Sequence, residues 1–250
     1  MPYDETINSQ GGSRGSARFS TTHWTLVMRA RDERSDGADE ALESLCNTYW
    51  YPLYAFLRRS GNSAEDAQDL TQDFFHQLLE KGRLDAVDPA RGKFRSFLLA
   101  SIKNLANTQW KWANAQKRGG GVHVLSIDAG DPETRYLREP AHFDTPEKLY
   151  EQRWAQTLVA RALDRIKMEC ASQGKPFEDL KSFLMDSRGS GASYAQVAEK
   201  LGVSEGALKS SIHRLRRRYG EIFREEVAMT VSTPEEVDEE LHWLLEALGK

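Results

Sequence analysis

The sequence predicts an all-α protein: two helical domains joined by an irregular linker, with an additional helix at the C-terminus. Apolar residues recur at three- and four-residue steps through most of the chain beyond residue 20, the spacing of helices with one buried face. No segment of any length alternates with the period of a strand. Two stretches, 81–92 and 119–145, concentrate the Gly and Pro residues that interrupt helices.

Residues 1–18 are rich in Gly, Ser and polar groups and are expected to be disordered. The first helical domain is placed at 19–118. Thr22 to Ala30 and Ala38 to Ser60 have helical spacing, the latter through Leu42, Leu45, Tyr49, Leu53, Phe56 and Leu57. Pro52 is expected to bend or restart this helix, and Gly61-Asn62 to stop it. Ser63 is the natural cap of the next helix, with acids in its first turn. That helix puts Ala67, Leu70, Phe74 and Leu78 on one face and Asp66, Asp69 and Asp73 on a neighbouring stripe. Lys81 to Gly92 reads as a loop. Phe94 to about Lys117 is a long helix with Phe94, Phe97, Leu98, Ile102 and Leu105 on its apolar face, ended by Gly119-Gly120-Gly121. Residues 119–145 are read as an irregular linker. The second domain, 146–229, starts at Thr145-Pro146 with proline in the first helical position. Its helices are expected at about 146–172, 176–187, 193–201 and 204–228. Residues 230–250 form an acidic helix opened by Thr233-Pro-Glu-Glu236, a capping box, with Leu241, Leu244, Leu245 and Leu248 inward.

The formal net charge of −4 conceals a strong segregation. Ser63 to Glu80 holds five acids and no Lys or Arg, and Lys93 to Arg118 holds six bases and no acids. Ser204 to Arg218 holds five bases against Glu205, and Glu225 to Lys250 eight acids against Lys250. Two separated basic blocks point to two contacts with a polyanion, and two acidic blocks to protein partners or self-shielding. The plainer alternative is that each run is one solvated helix face.

Ser193 to Tyr219 reads SYAQVAEKLGVSEGALKSSIHRLRRRY. Ala198, four residues before Gly202, lets two helices approach, and Gly202 permits a left-handed turn. Val197, Leu201, Val203, Leu208 and Ile212 are expected to be buried, with Ser204 capping the second helix. That helix turns Glu205, Lys209, Ser210, His213 and Arg214 outward before Arg216-Arg217-Arg218. This is the layout of a helix-turn-helix whose second helix reads base edges while flanking bases grip phosphates. The alternative is a three-helix bundle with a basic surface. A second signal lies in Phe94 to Arg118, where bases alternate with Phe94, Phe97, Trp110 and Trp112, beside Asn104, Asn107, Thr108 and Gln109. Rings that stack on unpaired bases, with cations that neutralise phosphates, suit single-stranded DNA. Phe94 and Phe97 are the two best read as core.

Other classes find little support. The six histidines lack metal-ligand spacing, and no HExxH, P-loop or GxSxG is present, so neither an enzyme nor a metal or other cofactor is expected. Cys46 and Cys170 are too few and too far apart for a disulfide framework or a cysteine-rich zinc site. No apolar run approaches a membrane span and no secretory leader is visible, which makes the cytoplasm the expected compartment. A helix-turn-helix regulator that binds duplex DNA without polymerase is the competing reading; it would need neither the acid-only helix nor the basic aromatic one.

These residues resemble the extracytoplasmic-function (ECF) type of sigma factor of bacterial RNA polymerase, in the sigma-70 family. YWYPLYAFLRRSGNSAEDAQDLTQDFFHQLLE is similar to the start of sigma region 2, GKFRSFLLASIKNLANTQWKW to its promoter-melting half, and the helix-turn-helix to sigma region 4. The resemblance covers about 38–118 and 146–228, and FSTTHWTLV and VDPARGKF resemble a planctomycete-like group. It implies a dissociable subunit that binds core polymerase, at the β′ clamp helices and the β flap, and directs promoter recognition and melting. It assigns Asp66, Asp69, Gln72 and Asp73 to the clamp helices. It assigns Arg95, Lys103, Asn104, Asn107, Thr108, Trp110 and Lys111 to the −10 element, trapped unpaired. The 81–92 loop would hold a flipped base. Glu205, Lys209, Ser210, Ser211, His213, Arg214 and Arg217 fall to the −35 element. The acidic linker would run through the polymerase cleft. Promoter DNA, duplex and single-stranded, and an anti-sigma factor or other regulator are the implied partners, with nucleoid association when active. The chain departs from the family at Phe97, usually Trp, at Asn107-Thr108-Gln109-Trp110, usually richer in Arg, and at Ser211, often Arg. Thr233 to Gly249 extends beyond minimal members and is expected to cover a basic surface or bind a regulator.

Overall fold

The computed structural model describes residues 38–79, 93–115, 131–138, 145–185, 193–231 and 233–249. Among them every regular element is a helix: α1 (Ala38–Arg59), α2 (Ala64–Leu79), α3 (Phe94–Ala115), α4 (Pro132–Arg138), α5 (Pro146–Ser172), α6 (Phe177–Met185), α7 (Tyr194–Leu201), α8 (Glu205–Ala228) and α9 (Glu236–Ala247). The expected disorder of 1–18, the helix at 22–30, the loop at 81–92 and the glycine stop at 119–121 lie outside the described residues.

Local chemistry accounts for most helix ends. α1 runs unbroken through Pro52, so the expected restart does not occur. It closes at Gly61, whose φ of 98° suits glycine. Ser60 Oγ donates to the Phe56 carbonyl at 2.8 Å and Asn62 Nδ2 to that of Leu57 at 2.8 Å, satisfying carbonyls the helix leaves open. The Asp66 amide donates to Ser63 Oγ at 3.0 Å, the expected cap of α2. Thr145 caps α5 through the Lys148 amide, with Pro146 following. Ser193 and Gln196 make a reciprocal capping box on α7, and Ser204 caps α8. Gly202 takes φ 65° in the turn between them. Val203 is 44% exposed rather than buried, because the turn carries it outward as its amide closes on the Ala198 carbonyl at 3.0 Å. The expected capping box at Thr233 is also not formed: α9 starts at Glu236 with no side-chain cap, and the Thr233 and Pro234 carbonyls accept the first amides in a backbone turn. Within the supposed irregular linker, 132–138 is helical, with Asp131 accepting from the Glu133 and Thr134 amides.

Two apolar cores result. The second half of α5 (Ala162, Ile166, Cys170) joins α6, α7 and the start of α8 in one, with Val197, Leu208 and Ile212 at its centre. The other joins α1, α2 and α3 through Tyr49, Leu53, Leu70, Phe74, Phe94 and Leu98. The first half of α5 belongs to this core as well: Tyr150, Trp154 and Leu158 are buried there, and so are Val227 at the far end of α8 and Val231 just beyond it. α1 and α5 share the most extensive helix–helix interface among the described elements. The division expected at 145/146 is therefore not a division of packing, since one helix begins in one core and ends in the other. α9 lies on α5 and α8, and α4 on α1. Its inward face is Val237, Glu240, Leu241 and Leu244, while Leu245 points out at 44% exposure.

Leu158→Ala removes a side chain buried where α5 meets α1, and is expected to lower unfolding stability by about 2–5 kcal/mol. Urea unfolding followed by tryptophan fluorescence and by far-ultraviolet circular dichroism checks this; the two probes should shift together because α5 spans both cores.

Candidate nucleic-acid interface

The acidic stripe of α2 forms as the spacing predicts. Ala67, Leu70, Phe74 and Leu78 are buried, Asp66 and Asp69 are exposed, and Gln72 and Asp73 are half-buried. The Ser63 hydroxyl donates to Asp66 Oδ2 at 2.7 Å, and Gln109 of α3 donates to Asp73 Oδ2 at 3.2 Å. The exposed carboxylates lie on a helix whose opposite face is fixed in the core, so they form a rigid anionic surface.

α3 presents a more divided picture. Asn104, Asn107, Thr108 and Gln109 are exposed, with the Thr108 hydroxyl tied back to the Asn104 carbonyl at 2.8 Å. Trp110 and Lys111 belong to the helix, but their side chains lie outside the described residues. Phe94 is core and Phe97 packs partly against it. Arg95 departs from the expected exposed position: it is 8% exposed, paired with Glu240 of α9. Its guanidinium packs against the rings of Trp154, 4.7 Å away, and Trp243, 4.0 Å away. Lys93 also pairs with Glu240. Lys103 pairs with Glu147 of α5 at 2.6 Å, over the ring of Phe56. Beside these pairs the buried Tyr150 hydroxyl of α5 donates to the Arg95 carbonyl at 3.0 Å and ties the first turn of α3 to α5.

Most of the side chains expected on the outer face of α8 are exposed. Glu205, Lys209, Ser210, His213, Arg214 and Arg217 are exposed and Ser211 is half-buried. Lys209 lies 3.6 Å from Glu205 and over the Tyr194 ring, and Arg214 donates to Ser211 Oγ at 3.2 Å. The arginine triplet splits by role. Arg216 donates twice to the Phe183 carbonyl, at 2.9 and 2.7 Å, near the end of α6. Arg218 makes a two-pronged pair with Glu169 of α5, at 2.9 and 2.7 Å. Arg217 alone of the three projects outward, within 3.5 Å of Glu221. A cleft of about 470 Å³ flanks this face, with Cys170 and Leu208 at its apolar side and Arg214 and Arg217 at its rim. Among the described residues no cluster of His, Cys, Asp or Glu is arranged to hold a metal, and no helix is long and apolar enough to cross a membrane.

Residues 47–115 match the family model of sigma-70 region 2. The matched segment runs from within α1 to the end of α3 and so contains both the acidic and the basic helix. No curated protein and no solved structure matches the chain. The matched segment brings the anionic face of α2 and the polar face of α3 onto one three-helix unit; the predicted helix-turn-helix lies outside it.

Several residues that shape this surface escape the charge-run reading. Glu240 is fully buried although it sits in an acidic run, and Trp243 is not one of the four leucines expected to face inward. Glu133 of α4 accepts from Arg58 at 2.8 and 2.7 Å and from the Tyr54 hydroxyl at 2.5 Å, fastening the linker helix to α1. Glu226 is 1% exposed and paired with Arg161 at 2.9 Å and Arg165 at 2.7 Å, while Arg161 also donates to Thr48 of α1 at 2.8 Å. The four-residue step Tyr150, Trp154, Leu158 was a legible sign of a buried face, though not of its partner.

Cation partners hold four carboxyls below the usual range: Arg58 for Glu133, Lys103 for Glu147, Arg218 for Glu169 and Lys181 for Glu178. Burial moves Glu151 the other way. A carboxyl with a lowered folded pKa contributes stability above its unfolded value, near 4.5, and loses it as pH falls through the folded one. Stability is therefore expected to fall as pH drops below about 4.5. Glu133→Gln should flatten part of that slope, as read from urea midpoints across a pH series.

Proposed function

We propose that the chain is a sigma factor of bacterial RNA polymerase, of the ECF type, acting in the cytoplasm on the nucleoid. The observation that carries this reading is the sigma-70 region 2 match over the two helices whose charges are opposite and unmixed. α2 binds core polymerase through Asp66, Asp69, Gln72 and Asp73. A rigid acidic face with no Lys or Arg is what a basic helical partner such as the β′ clamp helices would select. Asn104, Asn107 and Thr108, exposed on α3, read the −10 element together with Lys103, Trp110 and Lys111. The α8 face of Glu205, Lys209, Ser210, Ser211, His213, Arg214 and Arg217 reads duplex DNA at −35. α7 and α8 make a capped helix-turn-helix with the left-handed glycine turn such readers use, and this region 4-like unit would also meet the β flap.

No chemical step is required. Promoter melting is a binding equilibrium, displaced because the α3 face prefers unpaired bases to duplex. The enzyme is the polymerase, and the chain supplies address and strand capture.

Asp69→Arg/Asp73→Arg is expected to weaken binding to core polymerase by at least about tenfold, or about 1.4 kcal/mol, while leaving helix content unchanged, since Asp69 is exposed and Asp73 half-buried. Co-elution with core polymerase, scored beside circular dichroism, checks this. Duplex DNA binding by the wild type with no affinity for polymerase would favour the regulator reading instead.

A further inference from the structure

The described bases of α3 and the residue before it, Lys93, Arg95 and Lys103, are all paired with acids from the C-terminal half of the chain. Glu147 takes Lys103 at the start of α5. Glu240 takes both Lys93 and Arg95, from a position with no solvent exposure. The pairing is enclosed: Arg95 is buried against the adjoining rings of Trp154 and Trp243. An exposed acid could drift across a basic surface, but Glu240 is held in one place by Val237 and Leu244 buried beside it on α9. Nor does docking α9 need this charge. A hydrophobic side chain in a buried site commonly holds two helices as well as an ion pair does, without the desolvation cost. A carboxylate aimed at two bases instead makes the contact sensitive to any competing anion.

We propose that α9 is an inhibitor built into the chain: Glu240 occupies on Lys93 and Arg95 the place that nucleic-acid phosphates take when α3 captures a strand. This rests on the sigma-factor reading above and adds its regulation. In the closed form α2 keeps Asp66 and Asp69 exposed, so polymerase can engage first. Strand capture then requires α9 to leave its seat on α5 and α8 and withdraw Glu240 from Lys93 and Arg95. The competitor is the phosphate backbone, and the contest is sensitive to salt.

The test measures anisotropy of a labelled mixed-sequence single-stranded oligonucleotide, with and without core polymerase, over a salt series. The full chain is compared with a chain ending at Val231 and with Glu240→Gln, which keeps α9 and removes only its buried charge. Both variants are expected to bind at least about tenfold tighter, and the truncated chain to gain about two in salt-dependence slope, one for each freed phosphate contact. Lys93→Ala/Arg95→Ala in the truncated chain should return the slope to that of the full chain. If the truncated chain loses its helix content, Glu240→Gln decides. Equal affinity and slope in the full chain and the folded variants, with polymerase still enhancing binding, would overturn the inhibitor and leave the sigma reading standing. If no form binds polymerase, and none binds DNA with or without it, the sigma reading falls and takes the inhibitor with it.

Discussion

The seating of the first half of α5 on α1 is the contact on which the rest of the arrangement depends. Tyr150, Trp154 and Leu158 enter a core that α1, α2 and α3 would otherwise leave open on one side. At about 1.5–3 kcal/mol for each large apolar side chain buried, this is a substantial part of the stability a domain of this size retains. The second half of the same helix supplies Ala162, Ile166 and Cys170 to the helix-turn-helix core. Two apolar cores are thus held in a defined relation by one continuous helix. α8 reinforces it, since it begins in one core at Leu208 and ends in the other at Val227.

Charge is laid over this frame in two ways. On the outside, Asp66 and Asp69 of α2 and Arg214 and Arg217 of α8 remain exposed. At the seams, Glu226 and Glu240 are buried and matched to cations from neighbouring helices. Breaking one partner of such a pair leaves an uncompensated charge inside, whereas the intact pair adds little beyond what a hydrophobic contact would. Their effect is to fix which helix faces which. Polar seams of this kind separate more readily in the presence of a competing polyion than an apolar seam does.

Helix identity, most boundaries and the acidic stripe of α2 were legible in the sequence because each depends on near neighbours in the chain. The Ser63 and Ser204 caps, the Gly202 turn and the α2 stripe follow from residues within a few positions of one another. What the sequence left hidden is long-range. Nothing near Arg95 signals that Glu240, 145 residues away, will bury it, so its run reads as a solvent-facing basic patch. Glu133 offered the same difficulty: a seven-residue helix lacks the length to show a period, and its order comes from Arg58 and Tyr54. The Thr233 signature failed for the opposite reason, since the backbone turn took up the amides a side chain would have capped. Arg216 and Arg218 looked like phosphate contacts because their partners, Phe183 and Glu169, lie on other helices.

The central claim is that α9 covers the bases at the start of α3 in the free chain and leaves them when a strand is captured on the polymerase. Distance measurement by fluorescence resonance energy transfer tests it directly. Dyes are placed at Ala100→Cys on α3 and His242→Cys on α9, both exposed. The native Cys46 and Cys170 are buried, and burial raises the Cys46 thiol to about 11, so labelling falls on the introduced sites. The account predicts a single short distance in the free chain and a longer one when core polymerase and promoter DNA are added together. An unchanged distance in the bound complex would contradict it.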